Sequence, residues 1–207
     1  MKIFFLMKSS GYLRNYASVV RLLAAKGHQV QLCFLKVNEI FPQSAIDKEV
    51  KDISGVSYLV PPKRIWLWRR PAEFIRVLQT YLRFLDPYYN DAYKLRNRAA
   101  ALLPRPVSWL VKLIVDQNRN RMWAAVNFLR MIERGIPLDS YIVKFFESNR
   151  PDVFLVTPLI DMRVSQLNWL KCAKALSIRT GLCVASWDNL SNKSLIQIEP
   201  DVVLVLE

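Results

Sequence analysis

The stretch MKIFFLMKSSGYLRNYASVVRLLAAKGHQVQLCF, residues 1–34, contains a complete strand–helix–strand pattern. From Lys2 to Met7 the chain is almost continuously apolar, which is typical of a strand buried on both faces. Apolar residues then recur every three to four positions from Tyr12 to Lys26, which predicts an amphipathic helix that stops at Gly27. Gln29 to Phe34 is predicted to be the second strand. The stretch therefore predicts one right-handed βαβ unit.

The same alternation of strands and helices returns in the last third of the chain. Further strands are predicted at Val56 to Val60, Asp152 to Thr157, Thr180 to Ala185 and Asp201 to Leu206. A helix is predicted from Ser165 to Leu176. Together these segments predict an α/β fold with a Rossmann-like, doubly wound parallel sheet.

The middle of the chain has no strand period and is divided by prolines. Helices are predicted at Pro71 to Leu85, Asp91 to Leu103, Val107 to Arg134 and Leu138 to Ser148. We therefore expect the 207 residues to form a single domain with a mainly helical insertion from about residue 63 to 149.

Positive charge is concentrated in this helical segment. The chain has a formal net charge of +13, and Lys63 to Arg134 contributes +10 of it. Aromatic side chains alternate with the cations there, a composition that suits an anionic membrane surface or a nucleic acid. The sequence has no helix-turn-helix, RNP, KH or zinc pattern, so nucleic acid is the less favoured partner.

Residues 65–70, Ile-Trp-Leu-Trp-Arg-Arg, are the predicted membrane contact. The indole rings of Trp66 and Trp68 suit the headgroup region, and Arg69 and Arg70 suit lipid phosphates. The alternative, given equal weight, is that the two tryptophans pack the insertion onto the sheet.

A polar loop, Ala185 to Lys193, follows an apolar strand. In a parallel α/β sheet ligands lie outside the carboxyl ends of the strands, so this loop is predicted to form one wall of a cleft. The predicted ligand-binding residues are Trp187, Asp188, Asn189 and Lys193. As alternatives, Trp187 fills core, Asp188 caps a helix and Lys193 is solvated.

The turn after the first strand is the second predicted wall of the cleft. Its predicted substrate-binding residues are Ser10, Gly11, Arg14 and Asn15. It has one glycine where a dinucleotide-binding G-x-G-x-x-G turn has three, so an NAD site is disfavoured. The start of the following helix still offers unpaired N–H groups to a phosphate. Alternatively, Ser10 is an ordinary helix N-cap and Arg14 lies on a solvated face.

The three cysteines and the single histidine carry no pattern of their own. Cys33, Cys172 and Cys183 stand in apolar segments without metal or disulfide spacing, so neither is expected. His28 precedes the second strand on the amino edge, opposite the cleft, where packing is its expected role. The sequence has no secretory core and no run of 18 apolar residues. We expect a cytoplasmic protein, and any contact with lipid is expected to be peripheral, on the inner face of the cell membrane.

Several groups of residues resemble a known family. Three segments of this chain resemble the N-terminal half of GT-B glycosyltransferases: MKIFFL (1–6), SGYLRN (10–15) and LLAAKGHQV (22–30). Together with these, three later segments resemble bacterial surface-carbohydrate glycosyltransferase-like proteins: RPDV (150–153), TPLID (157–161) and ASWDNL (185–190). The likeness covers both ends of the chain and leaves out the helical middle.

This resemblance implies a transferase of two Rossmann-like domains, the first holding the acceptor and the second the nucleotide-sugar. We expect this chain to be the acceptor-side domain, acting on a saccharide or lipid-linked acceptor for surface polysaccharide. The donor-binding domain is expected on a separate segment or subunit. No cofactor is therefore expected on this chain itself, and catalysis by it alone is not expected.

An inverting glycosyl transfer needs a group that accepts the proton of the acceptor hydroxyl, and the candidate bases are Asp161 and Asp188. The alternative is that each carboxylate caps a following helix. A second class of function also fits the sequence. In it the chain is a noncatalytic adaptor whose basic insertion binds a membrane or a nucleic acid.

Overall fold

Six parallel strands form one sheet. In the computed structural model the described residues are 1–39, 41–62, 65–115, 118–159, 165–185 and 195–205. The strands are β1 (Lys2–Met7), β2 (Gln29–Phe34), β3 (Val56–Leu59), β4 (Val153–Thr157), β5 (Arg179–Val184) and β6 (Val202–Val205). Their spatial order is β3-β2-β1-β4-β5-β6. The predicted α/β fold with a Rossmann-like, doubly wound parallel sheet is confirmed.

The opening strand–helix–strand pattern folds as the sequence predicts. Helix α1 (Leu13–Ala25) joins β1 to β2 and buries Leu13, Tyr16 and Val20, which share one face because they are three and four residues apart. Gly27 follows the helix with φ of 79°, a left-handed conformation that glycine adopts without a steric penalty. The chain then enters β2 directly.

Helices cover both faces of the sheet. They are α1, α2 (Gln43–Val50), α7 (Ser140–Asn149) and α8 (Gln166–Ala175). Helices α1 and α2 share a buried core with Phe5, Leu32 and their neighbours on one face. Helices α7 and α8 share a second core with Phe4, Phe154 and Val156 on the other. Strand order reverses between β1 and β4, so the switch point of this doubly wound sheet lies between them.

Four helices between β3 and α7 form a separate helical layer. They are α3 (Arg69–Arg83), α4 (Tyr93–Ala100), α5 (Arg105–Val115) and α6 (Arg119–Gly135). Their own core includes Val77, Phe84 and Val126. Helix α7, which was expected inside the insertion, instead packs on the sheet through Ile142 and Phe146. We use the name helical insertion for α3 to α6.

Two details of the helices differ from the sequence-based expectation. Helix α2 was not predicted, because its eight residues carry only Ile46 and Val50 as a buried pair. The prediction of one helix from Val107 to Arg134 is wrong, since α5 ends at Val115. A new helix starts after Asn118, whose side-chain oxygen accepts a hydrogen bond from the backbone N–H of Arg121 at 3.1 Å.

A buried polar cluster joins the helical insertion to the sheet layers. Arg76 of α3 donates to Glu133 of α6 at 2.6 Å and to Asn168 of α8 at 2.7 Å. The amide of Gln197 donates to the Arg76 carbonyl at 2.9 Å. Both charged side chains are almost completely buried, so they are held by each other and by these hydrogen bonds.

Candidate functional site

A cavity of about 280 Å³ opens at the carboxyl edge of β1 and β2. Its walls come from the turn after β1, the first residues of α1 and the segment after β2. The lining residues are Ser9, Gly11, Tyr12, Arg14, Asn15, Asn38 and Phe41. Three of the four residues predicted from the first turn, Gly11, Arg14 and Asn15, therefore line one cavity. This is the edge at which parallel α/β sheets bind ligands.

Ser10 lies beneath the cavity and fixes its shape. It is fully buried within a short 3₁₀ turn, Ser10–Tyr12. Its hydroxyl donates to the Phe41 carbonyl at 2.6 Å and accepts from the Asn38 backbone N–H at 3.1 Å. The alternative of an N-cap is wrong, because this hydroxyl bonds residues after β2 and not the start of α1. Ser10 thus ties the two walls of the cavity together.

Gly11 permits the close approach of these two walls. A Cβ atom added to it would lie 2.9 Å from the side-chain nitrogen of Asn38. The Asn38 side-chain oxygen is already used, since it accepts from the Phe41 backbone N–H at 2.9 Å. Any larger residue at position 11 would push this amide out of place or fill the cavity.

Arg14 and Asn15 stand at the exposed rim of the cavity, in the first turn of α1. This turn contains no acidic residue, and no side chain caps it at Tyr12. The guanidinium of Arg14 and the positive end of the helix dipole therefore act in the same direction at the rim. The arrangement favours an anionic or strongly hydrogen-bonding group.

Beneath the neighbouring strand ends, Tyr16 links β4 and β5. Its hydroxyl donates to the Cys183 carbonyl at 3.0 Å, and the Thr157 hydroxyl donates to it at 3.1 Å. Burial raises the pKa of Tyr16 to about 12, although its hydrogen bond with Thr157 lowers it. Tyr16 therefore stays protonated and uncharged at neutral pH, and its hydroxyl links the ends of two neighbouring strands.

The other predicted site residues fall in the parts of the sequence that follow β4 and β5. Asp161, Trp187, Asp188, Asn189 and Lys193 lie outside the described residues. The two strands end at Thr157 and Val184, at the same edge of the sheet as the cavity. The roles assigned to these five residues stay predictions.

The predicted membrane contact at residues 65–70 lies before and at the start of α3. Ile65 and Leu67 are 97% and 87% exposed, and Trp68 is exposed too. Arg69 and Arg70 begin the helix with their side chains in solvent, while Trp66 is half-buried. The exposure of Trp68, 45%, does not favour the alternative in which both tryptophans pack the insertion onto the sheet.

The thiols and the histidine lie away from the cavity chemistry. All three cysteines are free and buried, and burial raises the pKa of Cys172 to about 11 and of Cys183 to about 12. His28 immediately precedes β2, at the amino edge that the sequence predicts. Within the described ranges no cluster of three or more His, Cys, Asp or Glu could hold a metal ion.

Sequence reasoning missed the wall of the cavity that follows β2. Asn38 and Phe41 lie past the carboxyl end of that strand, so the rule that selected the first turn also applies to them. Their segment carries no motif, and the hydrogen bonds that the Ser10 hydroxyl makes with the Phe41 carbonyl and the Asn38 backbone N–H hold it over the turn. Only the position of Asn38 and Phe41 after β2, and not their residue types, could have identified them from the sequence.

The lining of the cavity combines three kinds of contact. Tyr12 and Phe41 offer aromatic surface, Asn15 and Asn38 offer amides, and Arg14 offers a positive charge. Aromatic surface beside a few polar groups is typical of small-molecule sites, and a carbohydrate needs both kinds of contact. The arrangement can orient a polar ligand, but within the described residues no carboxylate lines this cavity.

Comparison with known proteins leaves the fold as the established level of description. No protein-family model matches the chain, and a search of the curated proteins finds no match. Among the described residues no helix is both long and apolar enough to cross a membrane. The chain is thus described by its Rossmann-like sheet, its helical insertion and the cavity at the carboxyl edge.

Proposed function

We propose that this chain is the acceptor-side domain of a GT-B glycosyltransferase, which transfers a sugar from a nucleotide-sugar to a saccharide or lipid-linked acceptor. The observation that carries the proposal is the cavity formed by the first turn and the segment after β2. It lies at the carboxyl edge of a sheet with the strand order of a Rossmann-like fold.

The cavity chemistry supports a saccharide or a sugar phosphate as its ligand. Tyr12 and Phe41 supply apolar faces for a sugar ring, and the amides of Asn15 and Asn38 supply hydrogen bonds to hydroxyl groups. Arg14 and the positive end of the α1 dipole favour a phosphate on the same ligand. These contacts recognise an acceptor without performing the transfer.

The catalytic step is assigned to the residues that follow β4 and β5 in the sequence. In the proposal Asp161 or Asp188 accepts the proton of the acceptor hydroxyl as that oxygen attacks the anomeric carbon. The bond from that carbon to the nucleotide phosphate breaks, and the nucleoside phosphate leaves with the electron pair. Trp187, Asn189 and Lys193 complete the cleft. The nucleotide-sugar is held by a second Rossmann-like domain on a separate segment or subunit.

Ligand binding tests the cavity directly. Ligand-observed NMR with a panel of sugars and sugar phosphates should detect binding to the purified chain. Arg14→Ala should weaken the phosphate-bearing ligands about tenfold, since a charge-assisted hydrogen bond is lost. Gly11→Val should abolish binding, because its side chain would fill the cavity or displace Asn38.

A matched control lies on the same helix. Lys26→Ala also removes one exposed positive charge, but it lies at the C-terminal end of α1, remote from the cavity. It should bind like the wild type. The cavity is not the acceptor site if all three variants bind alike, or if no sugar on the panel binds.

The transfer itself needs a second assay. Nucleotide release from UDP-, GDP- and CDP-sugars is measured with the acceptor and the donor-binding domain present. Asp161→Asn or Asp188→Asn should reduce turnover by at least about a hundredfold if that residue is the base. Unchanged turnover in both variants excludes them, and acceptor binding without any nucleotide release favours the noncatalytic adaptor.

A further inference from the structure

Helix α5 turns an apolar face away from the rest of the molecule. Its exposed large side chains are Trp109, Leu110, Leu113 and Ile114. They stand one and four residues apart, so they form one stripe that covers about 140° of the helix circumference. The opposite side carries Val111 and Val115, which pack into the core of the helical insertion. The core-facing side of α5 is therefore a different side, and the stripe belongs to the outer surface of the protein.

Cations border this stripe. Arg105 is one turn before Trp109, and Lys112 is one turn before the end of the helix, on the same edge of the stripe. The helix contains no acidic residue. Along the sequence from residue 92 to 132 there are eight Lys and Arg and one Asp. An apolar stripe bordered by cations, on a helix without acidic residues and in a cation-rich part of the sequence, is the composition of helices that lie in a membrane interface.

We infer that α5 is a docking helix that seats the protein on an anionic lipid surface. The apolar stripe enters the boundary between headgroups and acyl chains, and Arg105 and Lys112 contact lipid phosphates. This inference goes beyond the proposed function and does not depend on it, because binding to a lipid surface requires no transferase activity.

Charge decides between the possible occupants of this face. A second copy of the chain would bring two such positive surfaces together, and like charges in contact oppose association. A nucleic acid would satisfy the cations but would leave Leu113 and Ile114 facing phosphates and sugars. An anionic bilayer meets both requirements at once.

Helix α5 differs from residues 65–70, a second exposed apolar segment near arginines. There Ile65 and Leu67 precede α3, and Trp66 is half-buried. The exposed side chains of α5 instead project from one helix and form a continuous outer stripe. The assignment to α5 can therefore be separated by mutation from a contact at residues 65–70.

Vesicle flotation tests the inference with the full chain. The probes are phosphatidylcholine vesicles with and without phosphatidylglycerol. The wild type should bind the anionic vesicles and bind the neutral ones much more weakly. The double variant Trp109→Ser/Leu113→Ser should lower the partition coefficient at least about tenfold, since two inserted side chains are lost. Lys112→Gln should lower it about fivefold.

The matched control is Leu22→Ser/Tyr88→Ser, which removes one exposed aliphatic and one exposed aromatic side chain outside both α5 and residues 65–70. It should bind like the wild type, and all variants should keep the wild-type melting temperature. The inference is overturned if the α5 variant binds as well as the wild type, if the control pair carries the binding, or if binding ignores the lipid charge. It is also overturned if the α5 variant abolishes only self-association in sedimentation.

Discussion

The sheet layers and the helical insertion use apolar side chains in opposite ways. Every residue of β1 from Ile3 to Met7 is buried, because helices cover both faces of the sheet. In the insertion, α5 and α6 each bury one side and expose large apolar residues on the other, such as Trp109, which is 65% exposed, and Phe128. The sheet layers bury their apolar residues in the core, whereas the helical insertion leaves part of its apolar residues at the surface.

The two regions differ most clearly where they use the same residue type. Phe4 is buried and its ring lies 5.0 to 5.9 Å from the rings of Phe145, Phe146, Phe154 and Trp169. Phe128 on α6 is 58% exposed. Their environments differ in burial and in the number of aromatic neighbours, so truncation should have very different consequences.

We expect Phe4→Ala to lower the free energy of unfolding by roughly 4–5 kcal/mol, since it leaves a cavity among four rings. Phe128→Ala should change it by less than about 0.5 kcal/mol, because the ring is already in solvent. Urea unfolding followed by circular dichroism measures both values. Similar losses in the two variants would mean that the face of α6 is covered, which would remove the contrast between the regions.

The fold was largely predictable from the sequence, because its signals are local. Residues 1–34 carry a strand period, a helix period and a glycine stop in one run, and the structure follows them. The start of a new helix after Asn118 was missed because apolar spacing continues on both sides of this residue. Helix α2 was missed because one buried pair is too weak a period to detect.

The site was less predictable, because its two walls meet only through tertiary contacts. The first turn was found from its place after β1. Asn38 and Phe41 were not found, since only the buried Ser10 hydroxyl brings their segment over the turn. The contrast in exposure was also hidden, because the stripe on α5 and the buried face of α1 have the same apolar period.

The joint between the two regions should be the next most sensitive place. Arg76→Met leaves the Glu133 carboxylate buried without its partner, which should cost about 3 kcal/mol of unfolding free energy. We place the cost at the low end, because Glu133 lines a cavity of about 470 Å³ that can admit water to the carboxylate. Urea unfolding again gives the value.

The matched variant for this joint removes both charges. Arg76→Met/Glu133→Leu should recover most of the lost stability, because no unpaired charge remains in the interior. If the single variant is as stable as the wild type, the ion pair does not hold the insertion to the sheet. If the double variant is no better than the single one, the loss comes from Asn168, whose side-chain oxygen loses the donor supplied by the Arg76 guanidinium.

The smallest effect is expected at the exposed edge of the sheet, which resembles the insertion more than the buried strands. All four residues of β6 are exposed, so this strand depends on its entry point at Asp201. The Asp201 carboxylate accepts from Lys174 at 2.8 Å and from the Thr180 backbone N–H and hydroxyl at 2.8 Å each. These hydrogen bonds, led by that from Lys174, lower the pKa of Asp201 to about 2.

Because the folded-state pKa is below the ordinary value of 3.8, the unfolded chain binds the proton more tightly. The contribution of Asp201 to stability is therefore complete above about pH 4 and is lost as the pH falls toward 2. The wild type should be more stable than Asp201→Asn at pH 7, by a small amount because the carboxylate is exposed. This difference in the free energy of unfolding should narrow at pH 2.

The control is Asp52→Asn, which changes an exposed carboxylate without a hydrogen bond in the described part of the chain. It should show no such difference from the wild type. A gap between the wild type and Asp201→Asn that does not change with pH would mean that the charge of Asp201 does not anchor β6.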